Sequence, residues 1–259
     1  MTIEIFVINL ARRPDRLGFM NRQLGDLGLS YTRVEAIDGF ADEDFGYPAA
    51  HPRLSKGEYA CYLSHVKAWK LFIASGAERC LVLEDDVVLS DSLPEILAHS
   101  AFFEHKGAVT RLESRIYSTR VSLFFRHRFR NRKLVRLHAY DGGAGALVLT
   151  RDYINFLLEN HSIPQVPVDD VTLNPVENEF RPHIVYQLDP AAAIQRHFLN
   201  PDHPEFDDES DLDATRGKPI PLRRQKGIFQ KFARHLRQRI RNFHHNTLTT
   251  VKVIPFNKD

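Results

Sequence analysis

The apolar run Cys80-Leu81-Val82-Leu83 ends in three consecutive acids, Glu84-Asp85-Asp86, before the chain turns apolar again at Val87-Val88-Leu89. A buried strand does not absorb three carboxylates, because each one left unpaired away from water costs several kcal/mol. The triad therefore belongs at the carboxyl end of a strand, facing a crevice, which in open α/β sheets is where ligands bind. A cation between the acids relieves their repulsion. Oxygen-only ligands select hard ions such as Mg²⁺ or Mn²⁺, which keep some waters and bridge to substrate phosphates. Two readings stand: a metal–diphosphate site, or a strand that closes in a solvated acidic turn.

The pattern around the triad is strand, helix, strand, helix, strand. Ile3 to Leu10 is a first apolar strand, broken at Arg12-Arg13-Pro14-Asp15-Arg16. A helix from about Arg16 to Leu27 stops near Gly28, and Tyr31 to Ala36 gives a second strand closed by Asp38-Gly39. Ser55-Lys56-Gly57-Glu58 has capping-box spacing, in which hydroxyl and carboxylate satisfy reciprocal backbone donors. The helix it opens carries Tyr62, Val66, Trp69 and Ile73 at helical spacing and ends before Gly76. This alternation predicts an α/β fold, a sheet with helices on its faces. With 259 residues and 43% hydrophobic content the chain can bury a sizeable core. Cys61 and Cys80 both sit in apolar patterns and read as small buried hydrophobes of a reducing compartment. The first ten residues lack a basic region and cleavage site, so no signal peptide is expected, and no run approaches the ~18 apolar residues of a membrane span. The expectation is a cytoplasmic protein that touches membranes only from their surface.

Charge is unevenly spread behind a formal net of +2. Residues 111–136 hold nine Lys or Arg and one acid, Glu113, with Phe124, Phe125 and Phe129 interleaved. Gly142-Gly143 and Gly145 make a glycine-rich turn into a short strand, Ala146 to Leu149, and a helix from Asp152 to Leu158 follows. Pro167-Val168-Asp169-Asp170 presents a second acidic pair. Residues 202–213 hold seven acids and read as a linker, while 223–245 hold eight Lys or Arg and no acids. There Ile228, Phe232, Leu236, Ile240 and Phe243 share one helical face, as in an interfacial amphipathic helix on an anionic membrane surface or a helix packed on the body. The domain reading is 1–200 as the catalytic body, 201–222 as acidic linker and 223–259 as basic tail. Basic, aromatic 111–136 also fits a nucleic-acid patch by composition, but its place inside an enzyme-like body and the near-neutral net charge argue for no nucleic acid.

Val7-Ile8-Asn9-Leu10 with Arg12-Arg13 and Arg16, then Ala36-Ile37-Asp38-Gly39, Gly57-Glu58, Cys61, Ser64-His65, Leu83-Glu84-Asp85-Asp86-Val87 and Pro167-Val168-Asp169-Asp170 come in an order that resembles glycosyltransferase family 25, the lipooligosaccharide biosynthesis galactosyltransferases. Ala60 stands where that family usually has glycine. The resemblance implies a GT-A-type, Rossmann-like mixed sheet flanked by helices, a UDP-sugar donor (UDP-galactose first), inverting transfer to a lipid-linked oligosaccharide acceptor, and a place on the inner face of a bacterial inner membrane.

The resemblance and the chemistry together distribute the roles. Asp86, with Glu84, is the expected seat of Mn²⁺ or Mg²⁺, which as a Lewis acid neutralises the leaving diphosphate; Asp85 is expected to contact ribose or orient the site. One-step inversion needs a base for the acceptor hydroxyl. Asp169 and then Asp170 are its candidates, unless the pair only favours a helix start. Asn9, Arg12 and Arg16 follow the first strand, where uridine or phosphate would lie, and Arg offers bidentate donors suited to phosphate. Asp38 is either a uridine contact or a turn former. Ser64 and His65 are placed at the donor, and His197 is a further possible metal ligand.

Overall fold

The computed structural model describes residues 2–41, 44–48, 51, 53–103, 108–139, 142–173, 184–199 and 248–259. The acidic linker and the basic amphipathic stretch expected from sequence lie outside them. Strands β1 (Ile3–Asn9), β2 (Thr32–Glu35) and β3 (Arg79–Glu84) alternate with helices α1 (Pro14–Asp26) and α2 (Lys56–Ser75). Then come β4 (Val87–Leu89), α3 (Leu93–Ala98), β5 (Val109–Arg111), β6 (Glu113–Ser114), β7 (Ser118–Phe129) and β8 (Arg132–Leu137). The chain continues through β9 (Ala146–Thr150), α4 (Arg151–Asn160), α5 (Val168–Leu173), β10 (Val185–Asp189), β11 (Ala193–Gln195), α6 (Arg196–Leu199) and β12 (Thr249–Val253).

The main sheet runs β12-β7-β8-β10-β5-β9-β3-β1-β2. β2, β1 and β3 are parallel, and β9 runs antiparallel between β3 and β5, so the sheet is mixed, flanked by helices. Strand alternation sorts the core to two faces. Phe6, Ile8, Cys80, Val82, Leu147 and Leu149 pack with Trp69 and Phe72 of α2. Ile5, Val7, Leu81, Leu83, Ala146 and Val148 pack with Met20 and Leu24 of α1. The capping box forms as its spacing predicts: the Ser55 side chain accepts from Glu58 N–H, and Glu58 returns to Ser55 N–H. Gly76 closes α2 at φ 83°, a left-handed cap that glycine adopts without strain.

A second sheet of three strands, β4-β11-β6, positions the site. β3 leaves the main sheet at Glu84 and β4 enters the small one at Val87, so the acidic triad is the crossing between sheets. β5 and β6 make the same crossing around Leu112, which delivers Glu113 to the same place.

Two expectations change. Residues 249–259 do not belong to a tail: β12 pairs antiparallel with Ser118–Ser122 of β7, as the alternating Thr-Thr-Val-Lys-Val pattern permits. The basic segment 111–136, which by composition fitted a nucleic-acid patch, is in part structural. Arg111 and Arg132 are fully buried. Arg111 donates to Gln187 Oε1 at 2.5 Å and Gly142 O at 2.8 Å, and Arg132 fastens Ser90, Ala191, Asn257 and Asp259.

Candidate active site

The carboxyl ends of β1 and β3, the amino end of α2 and the small sheet enclose a cleft with two lobes. Ile8, Leu10, Arg12, Arg16, Ala36–Phe40, Gly57, Ala60, Cys61, Ser64, His65 and the acidic triad line the first, of about 130 Å³. Glu58, Arg115, Tyr117, Gly143, Ala144, Pro167–Asp169, His197 and Phe198 line the second, of about 360 Å³. Both far exceed the 10–15 Å³ that a single water needs. Cys61, Glu84, Asp86 and Gln195 line both lobes, so the triad stands at the seam.

The first lobe depends on close backbone approach. A Cβ on Gly39 would meet Gly57 Cα at 2.9 Å, so the 36–40 loop can lie against the start of α2 only with glycine there. Ser64 Oγ bridges the two, accepting from Ile37 N–H at 2.9 Å and donating to Ala60 O at 2.8 Å. Asp38 accepts from Phe40 N–H and from Arg12 Nε at 2.7 Å, and the Arg12 guanidinium lies 5.4 Å from the Phe40 ring centroid. Asp38 thus makes the turn and also faces the lobe.

The triad's members are held differently. Asp85 accepts from Asn9 Nδ2 at 2.6 Å and pairs with Arg16 Nη1 at 3.3 Å. Burial still outweighs these partners and raises its carboxyl above the usual range. Burial opposes ionisation of Glu84 too, but the His65 hydrogen bond and charge, Arg115 and Gln195 Nε2 outweigh it and hold Glu84 below its usual range. Asp86 Oδ1 is buried with no hydrogen-bond partner. Burial and the charge of Glu84 push its carboxyl well up.

Three residues assigned to the nucleotide from sequence already have partners within the chain. Asn9 does not line the cleft; it anchors Asp85. Arg16 reaches the lobe but is 6% exposed and committed to Asp85. The Ser64 hydroxyl is taken up by backbone. Of the second acidic pair, both in the first turn of α5, only Asp169 lines the cleft, with its Oδ2 accepting from Gly143 N–H at 3.1 Å. His197 lines the second lobe beside Phe198, their ring centroids 3.9 Å apart.

Sequence reasoning missed Glu113, Arg115 and Gln195. Glu113 is fully buried; its Oε2 accepts from Gly145 N–H at 2.9 Å while Oε1 has no partner. Burial and the charge of Glu84 raise its carboxyl to about 7. Gly143 adopts φ 86° against this pair, and a Cβ there would meet Arg115 Cδ at 2.5 Å. A lone acid in a basic run was the available signal for Glu113. Cys61 was read as core, but it lines the cleft, and its sulfur with His65 and Glu84 forms a three-donor group within 4.8 Å. Burial and the neighbouring acids raise the Cys61 thiol, which keeps it protonated. Glu84 and Asp86, all oxygen and with one buried carboxylate oxygen unpartnered, are the donor set that suits a hard divalent ion.

A mixed α/β sheet with an acid-lined cleft at the carboxyl ends of its parallel strands has its crevice where open α/β sheets bind ligands. The model of glycosyltransferase family 25 (LPS biosynthesis protein) matches residues 2–172, and the chain belongs to that family. The Neisseria gonorrhoeae lacto-N-neotetraose biosynthesis glycosyltransferase LgtE is 26% identical over 206 residues, covering 73% of this chain and 72% of its own. Over 97 residues, 32% of its length, this chain is 41% identical to the human inactive glycosyltransferase 25 family member 3 and 40% identical to human procollagen galactosyltransferase 2; each alignment takes in only 16% of the relative's length. Among solved structures, A197 from STIV aligns with a TM-score of 0.46 at 12% identity, covering 74% of this chain and 83% of its own.

Proposed function

We propose that this chain transfers a hexose, galactose in the first instance, from a UDP-sugar to an oligosaccharide acceptor with inversion and with help from a divalent ion. Galactose is favoured by the similarity to procollagen galactosyltransferase 2, and the oligosaccharide acceptor by that to the lacto-N-neotetraose biosynthesis glycosyltransferase LgtE. The observation that carries the reading is the seam: Glu84 and Asp86 line both lobes at once. A diphosphate held there has its nucleoside on the Arg12–Asp38–Phe40 side and its sugar toward Asp169.

Each residue then has a stated task. Arg12 and Phe40 receive the nucleoside end by charge and ring surface. Glu84 and Asp86 would hold Mn²⁺ or Mg²⁺, which when bound neutralises charge on the leaving diphosphate. Asn9 and Arg16 fix Asp85 so that the 84–86 crossing keeps its shape. Asp169, oriented by Gly143 N–H, accepts the proton of the attacking acceptor hydroxyl. Tyr117, His197 and Phe198 offer aromatic faces to the acceptor sugar. A lipid-linked acceptor and a place on the inner face of a bacterial membrane complete the proposal.

The test is release or transfer of sugar from UDP-galactose, UDP-glucose and UDP-N-acetylhexosamine, with Mn²⁺ or EDTA. The expected result is Mn²⁺-dependent turnover of one donor, lost in Asp86→Ala. Full activity of Asp86→Ala removes the metal role, and no calorimetric binding of UDP overturns the donor class.

A further inference from the structure

Leu123, Phe124 and Phe125 are consecutive on β7 and 54%, 72% and 48% exposed. Regular strand alternation would turn at least one of three neighbours to the core. The pairing of β7 with β8 explains the exception: Val121 faces Leu137, Phe125 faces Val135 and His127 faces Leu134, so the register slips twice and β7 carries the extra residues as bulges. β12 covers the other edge of β7 only along Ser118–Ser122. From Leu123 onward that edge has no strand partner among the described residues.

Residues 118–137 contain seven Lys or Arg and no acid. Arg132 is buried and structural, and Arg130 pairs with Glu95 at 2.6 Å. Arg126, Arg128 and Arg136 are exposed around the apolar triplet, and Lys133 Nζ lies 5.7 Å from the Phe125 ring centroid. A second copy of this chain would bring the same positive charges together edge to edge, which disfavours self-pairing. An anionic surface with an apolar interior satisfies both the charges and the rings. The chain also re-enters the described body at Leu248, 41% exposed, next to Thr249, which pairs with Ser122.

We infer that the β7–β8 hairpin is a membrane-docking element, which lays Leu123, Phe124 and Phe125 into the interface of an anionic bilayer with its arginines at the headgroups. The inference does not depend on the glycosyltransfer reading, and its assay reads no sugar chemistry.

The test is sedimentation of the full chain with phosphatidylglycerol-rich and with pure phosphatidylcholine vesicles. Binding is expected only to the former and is expected to weaken with salt. Phe124→Ser with Phe125→Ser should weaken it by about ten-fold or more, and Arg126→Ser with Arg128→Ser by about ten-fold, with thermal midpoints unchanged. Phe124→Trp adds a direct readout: brominated lipid should quench the new indole, while the native Trp69 is fully buried. Three results overturn the inference. Vesicle binding that survives these changes but is lost on Arg234→Glu with Arg237→Glu assigns docking to the basic stretch alone. Self-association abolished by the Phe pair, with vesicles ignored, makes this a subunit interface. A lowered thermal midpoint of the Phe pair without vesicle binding means that the chain covers the patch itself.

Discussion

Asn9 Nδ2 lies 2.6 Å from Asp85 Oδ2, linking the end of β1 to the loop after β3 across 76 residues of sequence. Arg16 Nη1 reaches the other carboxylate oxygen at 3.3 Å, and both Arg16 and Asp85 are under 10% exposed. Removing one partner of a buried charged pair is costly because the other has already lost its water. Asp85→Ala should therefore destabilise the fold by about 3 kcal/mol, read from urea midpoints at constant m-value. A loss under about 1 kcal/mol would show that the pair behaves as a surface contact.

Asp86 Oδ1, unlike the Asp85 carboxylate, has no hydrogen-bond partner. Its carboxyl is raised by burial and by Glu84, so the folded state resists its ionisation and stability falls as pH rises past the unfolded value. In EDTA at pH 8, Asp86→Asn should be more stable than the parent. With Mn²⁺ the parent should gain several degrees in thermal midpoint by mass action and the variant should not. Equal gains would place the ion elsewhere.

Glu113 sets a pH window. Its carboxyl rises from 4.5 to about 7 in the fold, so between those values the folded chain holds a proton that the unfolded chain has released. Stability is fully present below about 4.5 and declines by about 3 kcal/mol by pH 7 to 8. Glu113→Gln should flatten that decline and leave the acid side unchanged, as checked by denaturation curves across the window in EDTA.

Asp169 and Asp170 separate by position. Asp169→Asn should lower kcat by about 10²–10⁴ with UDP affinity within two-fold (~) of the parent. Asp170→Asn should keep most activity, since Asp170 does not line the cleft. The reverse ranking in single-turnover rates would move the base.

Arg12 and Asp38 are partly exposed, at 39% and 23% of their side-chain surface. Such a pair adds about 0–1 kcal/mol to stability, so Arg12→Ala should leave the urea midpoint almost unchanged. If Arg12 meets the donor, calorimetry should show UDP bound about ten-fold more weakly.

The parts legible in sequence were those written in local patterns. The Ser55 capping box, the apolar runs of β1 and β3 and the acids after Leu83 each announce their element within a few residues. The small sheet was not legible, because Val87–Leu89, Glu113–Ser114 and Ala193–Gln195 are too short to show a period and become strands only by meeting one another. That is why Glu113 and Gln195 were missed. For Asn9 and Arg16 the sequence shows a donor near a crevice, and only the fold shows that each also holds the Asp85 carboxylate. Burial of Arg132 within the basic run was not legible either, since it depends on carbonyls drawn from distant segments.

β12 has a consequence for the 48 residues from 200 to 247. Because α6 precedes them and an edge strand of the main sheet follows, they are an insertion between two anchored ends and not a terminus. A single proteolytic cut within it would leave Thr249–Asp259 bound as a separate peptide, held by the β7 ladder and by Arg132.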